Sequence, residues 1–294
     1  MLNKEKMVVA LGYFDCVHKG HRQVIECAKN LSKQLNAKTL VFTFEGNLRS
    51  FTNGKDGKYV YNLEERISLF NDLGVEQIYS APLTSEFLSL SKQEFLDFIN
   101  QKFSIEGYVC GCDYRFGKNA SGNVDYLVEY AKAHKQQVVI APSFTYEGQK
   151  VSTSDIKKYL STGEIEKANA ILGYNYFISG EVYKDRGLGK ELGFPTANIK
   201  VDSNRTLLKN GVYSGYCLVD DKKYKAVINY GSRPTFNLEQ TTIEAHLIGF
   251  SGDLYHKIIK IFFTSYIRDI IKFDKQSQLK EQLLKDVEKV IGND

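Results

Sequence analysis

The sequence predicts two units of different class: an α/β unit on a parallel sheet, then a mainly β unit that ends in a helix. Three observations carry this. Through residue 141, short apolar runs alternate with amphipathic stretches of helical period. From Tyr176 onward the runs become β-branched and aromatic and are separated by turn residues. A chain of 294 residues with 43% apolar side chains is also long enough for two packed domains.

In the first part, residues 8–11 (VVAL) read as a strand. Residues 22–35 read as a helix with Val24, Ile25, Ala28, Leu31 and Leu35 on one stripe. Residues 39–44 (TLVFTF) give the next strand, 63–73 a helix closed by Gly74 at C′, and 77–80 a short strand. Ser91 and Glu94 form a capping box for a helix through Phe103. Strand 107–111, helix 124–133 and strand 137–141 complete the alternation. Strands so uniformly apolar belong to a parallel sheet covered on both faces. Ligands of such sheets bind beyond the carboxyl ends of the strands.

Residues 152–173 read as two helices, each ending in glycine, and supply a linker at 156–175 between domains at 1–155 and 176–294. In the second part, strands are expected at 177–183, 211–219, 223–229, 242–248 and 257–263, with Asp220-Asp221 as a hairpin tip. This spacing suits an antiparallel barrel or a sandwich. A helix over 277–291 carries Leu279, Leu283, Leu284, Val287 and Val290 as an apolar stripe.

Composition narrows the partners. A net charge of +4 without a concentrated basic stripe suits an anionic small molecule and not a dedicated nucleic-acid binder. No apolar run approaches the length of a membrane span. The apolar run at 7–11 is too short for a signal peptide and leads straight into a glycine motif, so the expected setting is cytoplasmic. Five cysteines, an odd number, point to reduced thiols. Cys110 and Cys112 lie two apart in the expected strand and so face one side. No second Cys/His pair at metal spacing accompanies them, so they read as buried small hydrophobes. The oligomeric state is not legible.

Residues 12–21 read GYFDCVHKGH, where the first strand ends and the first helix begins. Such a junction turns unpaired backbone N–H groups and the positive end of a helix dipole toward one spot, which suits phosphate. His18 and His21 add donors for charge that develops on a phosphoryl group. A helix-cap role for His18 and a packed polar role for His21 are the plainer readings. No third ligand is evident nearby for zinc.

Further motifs stand in order along the chain: GCDYRFG at 111–117, GKELGFPTAN at 189–198, GVYSG at 211–215, GSRPTF at 231–236, IEAHLIGFSGDLY at 243–255 and YIRDIIKF at 266–273. With these and GYFDCVHKGH, the chain resembles the bifunctional bacterial riboflavin kinase/FAD synthetases over nearly its whole length. The resemblance implies a Rossmann-like nucleotidyltransferase domain that adenylylates FMN to FAD with release of pyrophosphate. It also implies a riboflavin kinase barrel that makes FMN from riboflavin and ATP. Both reactions would use Mg²⁺, a hard cation suited to oxygen ligands and ATP phosphates.

The resemblance also implies roles for individual residues. In the first domain, Gly12, Phe14, Asp15, His18, His21, Ser152, Thr153, Ser154 and Lys157 would hold ATP, with both histidines at the α-phosphate. Asp113 and Phe116 would meet flavin and nucleotide. In the second, Gly187, Gly193, Thr196 and Asn198 would hold ATP, and Thr196 and Asn198 would share its Mg²⁺. Gly211, Tyr213 and Arg268 would lie at the flavin. Glu244 would be the base that takes the proton of the ribityl hydroxyl. A surface ion pair is the plain alternative for Arg268.

Departures from the family pattern cluster in the first domain. Cys16 stands where the motif has glycine, and would be strained if that position needs positive φ. The family's T-F-x-P-H-P reads TFEGNL, including Gly46-Asn47, and its S-S-T-x-I-R reads STSDIK. Lys157 keeps the charge of that arginine without its fork. G-R-P-Y reads Gly173-Tyr174-Asn175-Tyr176. The alternatives are a riboflavin kinase whose first domain is a scaffold or regulator, and a flavin- or RNA-binding regulator without turnover. A class I aminoacyl-tRNA synthetase shares a histidine–glycine–histidine signature, but the chain lacks its lysine–serine loop.

Overall fold

The computed structural model describes residues 5–46, 57–185, 189, 192–220, 222–235 and 238–292. The chain divides into two compact units, Met1–Thr153 and Ser154–Asp294.

The first unit runs β1 (Lys6–Leu11), α1 (Lys19–Leu35), β2 (Lys38–Phe44), α2 (Leu63–Asp72), β3 (Gln77–Ala81), α3 (Ser85–Leu88), α4 (Lys92–Lys102), β4 (Ser104–Gly111), α5 (Val124–Ala133) and β5 (Gln137–Ala141). A short hairpin, β6 (Thr145–Tyr146) and β7 (Gln149–Lys150), follows. Its five-stranded sheet has the order β3-β2-β1-β4-β5, and every pair is parallel. Val8, Val9 and Ala10 of β1 are fully buried, as a central strand covered on both faces requires. Strand order reverses between β1 and β4, so the crevice for a ligand opens beyond Leu11 and Gly111.

Helix ends follow local chemistry. The capping box of Ser91 and Glu94 forms as expected, and Asn62 with Glu65 makes a second on α2. Helix α1 begins at Lys19, three residues before the apolar period predicts, because the His18 side chain caps it. The one-turn α3 carries no sequence period and is absent from the expectations.

The second unit begins with α6 (Thr153–Thr162) and α7 (Ile165–Leu172), followed by Gly163 at φ 83° and Gly173 at φ 80°. Then come β8 (Phe177–Glu181), β9 (Ala197–Lys200), β10 (Gly211–Val219), β11 (Lys222–Thr235), β12 (Leu238–Leu247), β13 (Ile258–Arg268) and α8 (Gln276–Gly292). The sheet order is β8-β13-β10-β11-β12-β9, all antiparallel. A bridge between Tyr183 and Asn198, with the Tyr183 N–H donating to the Asn198 carbonyl at 3.0 Å, brings the two edges together. The result is a near-closed barrel and not a sandwich.

Two expectations need correction here. Leu284 of α8 is 48% exposed, and the buried position beside it is Asp286, so the inward stripe runs through Asp286 and Val290 instead. The cause is an ion pair that the apolar period does not reveal. Strand β9 was not expected as a strand, since four residues within a glycine–proline segment give too short a pattern. Asp220, at φ 49°, occupies the expected hairpin tip, and its neighbour at 221 lies outside the described residues. Among the described residues, no helix is long and apolar enough to cross a membrane.

Candidate active sites

In the first unit, the segments after β1, β4 and β5 surround a cavity of about 860 Å³. Its lining includes Gly12, Phe14, His18 and His21, then Asp113 and Phe116, then Ser152 and Thr153. Eight of the expected first-domain residues, drawn from segments more than a hundred positions apart in sequence, thus share one space. The size suits a nucleotide-class ligand.

Backbone strain shapes the first segment. Phe14 adopts φ 53° and folds its ring back over Gly12, where an added Cβ would stand 2.7 Å from Phe14 Cζ. Gly12 is therefore required by the turn itself. Val17 also has a positive φ, at 41°, but Cys16 between them does not. The strain expected of a cysteine at this position is absent, because the left-handed conformations fall on its neighbours. Cys16 is fully buried, with its thiol 3.7 Å from Thr153 Oγ1.

The histidines form a stacked pair, ring centroids 3.7 Å apart. His18 Nδ1 accepts the His21 N–H at 3.2 Å, so the neutral ring carries its proton on Nε2. Burial, and second the proximity of His18, hold the His21 pKa well below its usual value. His21 is therefore a neutral imidazole, and its buried Nδ1 has no hydrogen-bond partner. Both the cap reading of His18 and its placement at the cavity hold at once. The same turn brings Cys16 to the pair: one ligand atom from each of Cys16, His18 and His21 lies within 4.8 Å of the others. A third candidate donor, not evident in the sequence, thus stands beside the two histidines.

Asp15 behaves differently from its neighbours. It is 2% exposed, does not line the cavity, and accepts the Val60 N–H through Oδ1 at 2.9 Å. Asp113 lines the cavity and is held by Lys150 Nζ at 2.8 Å, a bond that lowers its pKa. Phe116 is 5% exposed and packs on Phe95 and Tyr114 at the cavity wall. The pairing assumed for the two cysteines fails. Cys110 is buried, with its thiol pushed up to about 12 by desolvation, whereas Cys112 is exposed. Strand β4 ends at Gly111, so the alternation does not reach Cys112.

Sequence reasoning missed Arg66, which is 1% exposed and ties the ends of β1 and β2 together. Its guanidinium donates to the carbonyls of Tyr13 and Phe44 and to Thr43 Oγ1 at 2.8–2.9 Å. An arginine on the apolar side of an amphipathic helix was the only available signal.

In the second unit, register assembles the candidate site. Glu244 on β12 stands directly opposite Asn198 on β9 and Asn229 on β11. Directly opposed residues share a face, so the three polar side chains project together. Asn198 Nδ2 reaches the Thr196 carbonyl at 3.3 Å and Thr196 Oγ1 at 3.5 Å, which fixes the two residues side by side. Asn198 is 6% exposed, and its Oδ1 is buried without a partner. A free buried carbonyl oxygen beside a hydroxyl and opposite a carboxylate is an oxygen donor set that fits a hard divalent cation. His246 Nδ1 lies 2.9 Å from the Pro195 carbonyl and anchors the same loop. Gly193 has φ 89°, a conformation that favours glycine. Gly187 lies outside the described residues.

The expected flavin residues are tied into the barrel. Gly211 opens β10 opposite Tyr230. Tyr213 is fully buried and donates its phenol to the Lys209 carbonyl. Arg268 pairs both its Nε and Nη2 with Asp286, at 3.0 and 2.6 Å, which is the ion-pair alternative in bidentate form.

Comparison with known proteins agrees with both halves. A family model for FAD synthetase matches residues 1–155, and one for riboflavin kinase matches 172–292. The chain belongs to the bifunctional riboflavin kinase/FMN adenylyltransferase family. A curated member from Listeria monocytogenes is 33% identical over 95% of this chain and 90% of its own length. One from Bacillus subtilis is also 33% identical, over 97% and 92%. A crystal structure described as a macrolide-efflux protein from Streptococcus pneumoniae superposes with a TM-score of 0.88. It is 28% identical and is matched over 100% of this chain and 96% of that one. Within the family frame, the cavity belongs to the FAD synthetase match, and the Glu244–Asn198 face to the riboflavin kinase match.

Proposed function

We propose that the second unit phosphorylates riboflavin with ATP to give FMN, and that the first adenylylates FMN with a second ATP to give FAD and pyrophosphate. The observation that carries the reading is the strand register that sets Glu244 opposite Asn198, with Thr196 beside it.

In the kinase unit, Glu244 takes the proton of the ribityl 5′-hydroxyl as that oxygen bonds to the γ-phosphorus of ATP. The bond from that phosphorus to the bridging oxygen breaks, and ADP leaves. Asn198 Oδ1 and Thr196 Oγ1 would hold Mg²⁺, which neutralises phosphate charge. Gly193 bounds the nucleotide side. Gly211, Tyr213 and Arg268 bound the flavin side, where Arg268 acts chiefly by fixing the end of β13 through Asp286.

In the first unit, the FMN phosphate attacks the α-phosphorus of ATP and pyrophosphate leaves. His18 and His21 meet the charge on that phosphoryl group as neutral donors, beside the N-terminus of α1. Phe14 and Gly12 shape the turn, and Asp15 holds it from behind. Ser152 and Thr153 line the phosphate side of the cavity, and Ser154 and Lys157 on α6 continue that segment. Asp113 and Phe116 bound the flavin. The absence of strain at Cys16 supports a working first unit over a purely scaffolding one. Five free cysteines and the use of ATP support a cytoplasmic setting.

Chromatographic measurement of FMN and FAD tests the reading in two incubations. Riboflavin with Mg-ATP should yield FMN, and FMN with Mg-ATP should yield FAD. No FMN in the first would overturn the kinase assignment, and no FAD in the second the adenylyltransferase assignment.

A further inference from the structure

We infer that Cys16, His18 and His21 form a binding site for a zinc-class divalent cation, and that occupancy shuts off FAD synthesis while leaving the kinase running. The link to FAD synthesis rests on the function proposed above; the binding does not.

The geometry comes first. One ligand atom from each residue lies within 4.8 Å of the other two. Ligands of tetrahedral zinc stand about 3.5 Å apart, given bond lengths of about 2.0–2.3 Å. Side-chain rotations close that difference, since the three residues occupy one turn and the start of one helix. His21 Nδ1 is a buried nitrogen without a hydrogen-bond partner, which independently calls for a ligand.

Ligand chemistry selects the ion. A thiolate and two imidazoles favour a borderline-soft cation over Mg²⁺, which prefers oxygen. The Mg²⁺ that accompanies ATP therefore does not compete for these atoms. His18 and His21 line the cavity, so a cation enters from there. On binding, the Cys16 S–H bond breaks, a sulfur–metal bond forms, and the proton passes to solvent.

Occupancy has a structural consequence. His18 Nδ1 now accepts the His21 N–H. If His18 binds through Nδ1, that lone pair is lost to the cap. If it binds through Nε2, the ring must carry its proton on Nδ1, which likewise ends the cap. Either route opens the first turn of α1 and takes both imidazoles from the nucleotide. In the family motif this position is glycine, which offers no ligand, so the switch is a property of Cys16.

The test uses the full chain, reduced and stripped with chelator. Titration with Co²⁺ alone should show one equivalent bound, with a thiolate-to-cobalt charge-transfer absorption. C16S and C16G should lose the absorption and weaken binding at least about 100-fold, whereas C27S/C112S should keep both. With one equivalent of Zn²⁺, FAD formation from FMN should fall at least tenfold, and FMN formation from riboflavin should change less than twofold. FAD formation by C16G should resist zinc. Absence of the absorption, its survival in C16S, or equal loss of both activities would overturn the inference. Failure of the stripped protein to make FAD would overturn the adenylyltransferase reading alone, because the cobalt absorption does not depend on turnover.

Discussion

The two units build their sites by opposite means. In the first, side chains converge from loops beyond β1, β4 and β5, segments separated by up to 140 residues. In the second, the central residues come from adjacent strands, and hydrogen-bond register alone sets Glu244 against Asn198 and Asn229. A loop-built site needs backbone supports, and here Arg66, Asp15 and the His18 cap supply them. Such a site absorbs a side-chain change that leaves those supports alone, which is how Cys16 fits without strain. A register-built site has few supports to lose, but a slip of one residue would turn Glu244 to the opposite face.

The largest expected effect isolates the second site. Glu244→Gln removes a base and keeps the shape, so FMN formation should fall by about 10³. FAD formation from supplied FMN should stay within twofold of the parent, as chromatography of both reactions will show. A matching loss of both would break the contrast, since it would make the two sites one functional unit.

How much of this was legible follows from the same contrast. The five parallel strands, the Ser91–Glu94 capping box and the cavity motif could be read because apolar period, cap residues and glycine punctuation encode them locally. The pairing of Thr196 with Asn198 was visible too, through the family resemblance that assigns both to one Mg²⁺. The neighbour relation of Asn198 and Glu244 was not, because it depends on β9 pairing with β12 across more than forty residues. Cys16 as a partner of the histidines was hidden for another reason. Its approach depends on positive φ at Phe14 and Val17, which neither residue advertises. Asp286 was concealed inside an apolar stripe, and the arginine that requires it lies on another element.

That buried pair gives the next effect in size. Asp286 is 2% exposed and takes two hydrogen bonds from Arg268 and one from Gln282 Nε2. Asp286→Ala leaves the guanidinium uncompensated beneath α8 and should destabilise the second unit by about 3 kcal/mol. A lowered unfolding midpoint, read by denaturant titration, checks this. The double variant R268M/D286L should recover most of the loss, because an apolar pair of similar size needs no partner. Riboflavin binding by that double variant then sharpens the comparison. Retained affinity would make Arg268 a support of the barrel, and lost affinity would make it a flavin contact as well.

The smallest effect concerns the loop-built site and is read through pH. His21 has a folded pKa well below its usual 6.5, chiefly from burial. Above pH 6.5 the ring is neutral in both the folded and unfolded chain, and the group does not bias folding. Below that value the unfolded chain binds a proton that the folded chain refuses, so the unfolded state gains. Stability of the first unit should therefore fall by about 1.4 kcal/mol per pH unit from this group alone, until the folded pKa is reached. His21→Gln removes the titration and should flatten that part of the profile between pH 7.5 and 5.5, compared by urea midpoints. Parallel profiles in the two proteins would mean that the ring takes up its proton without leaving the fold, and that the histidine pair is not the neutral donor set on which the first site depends.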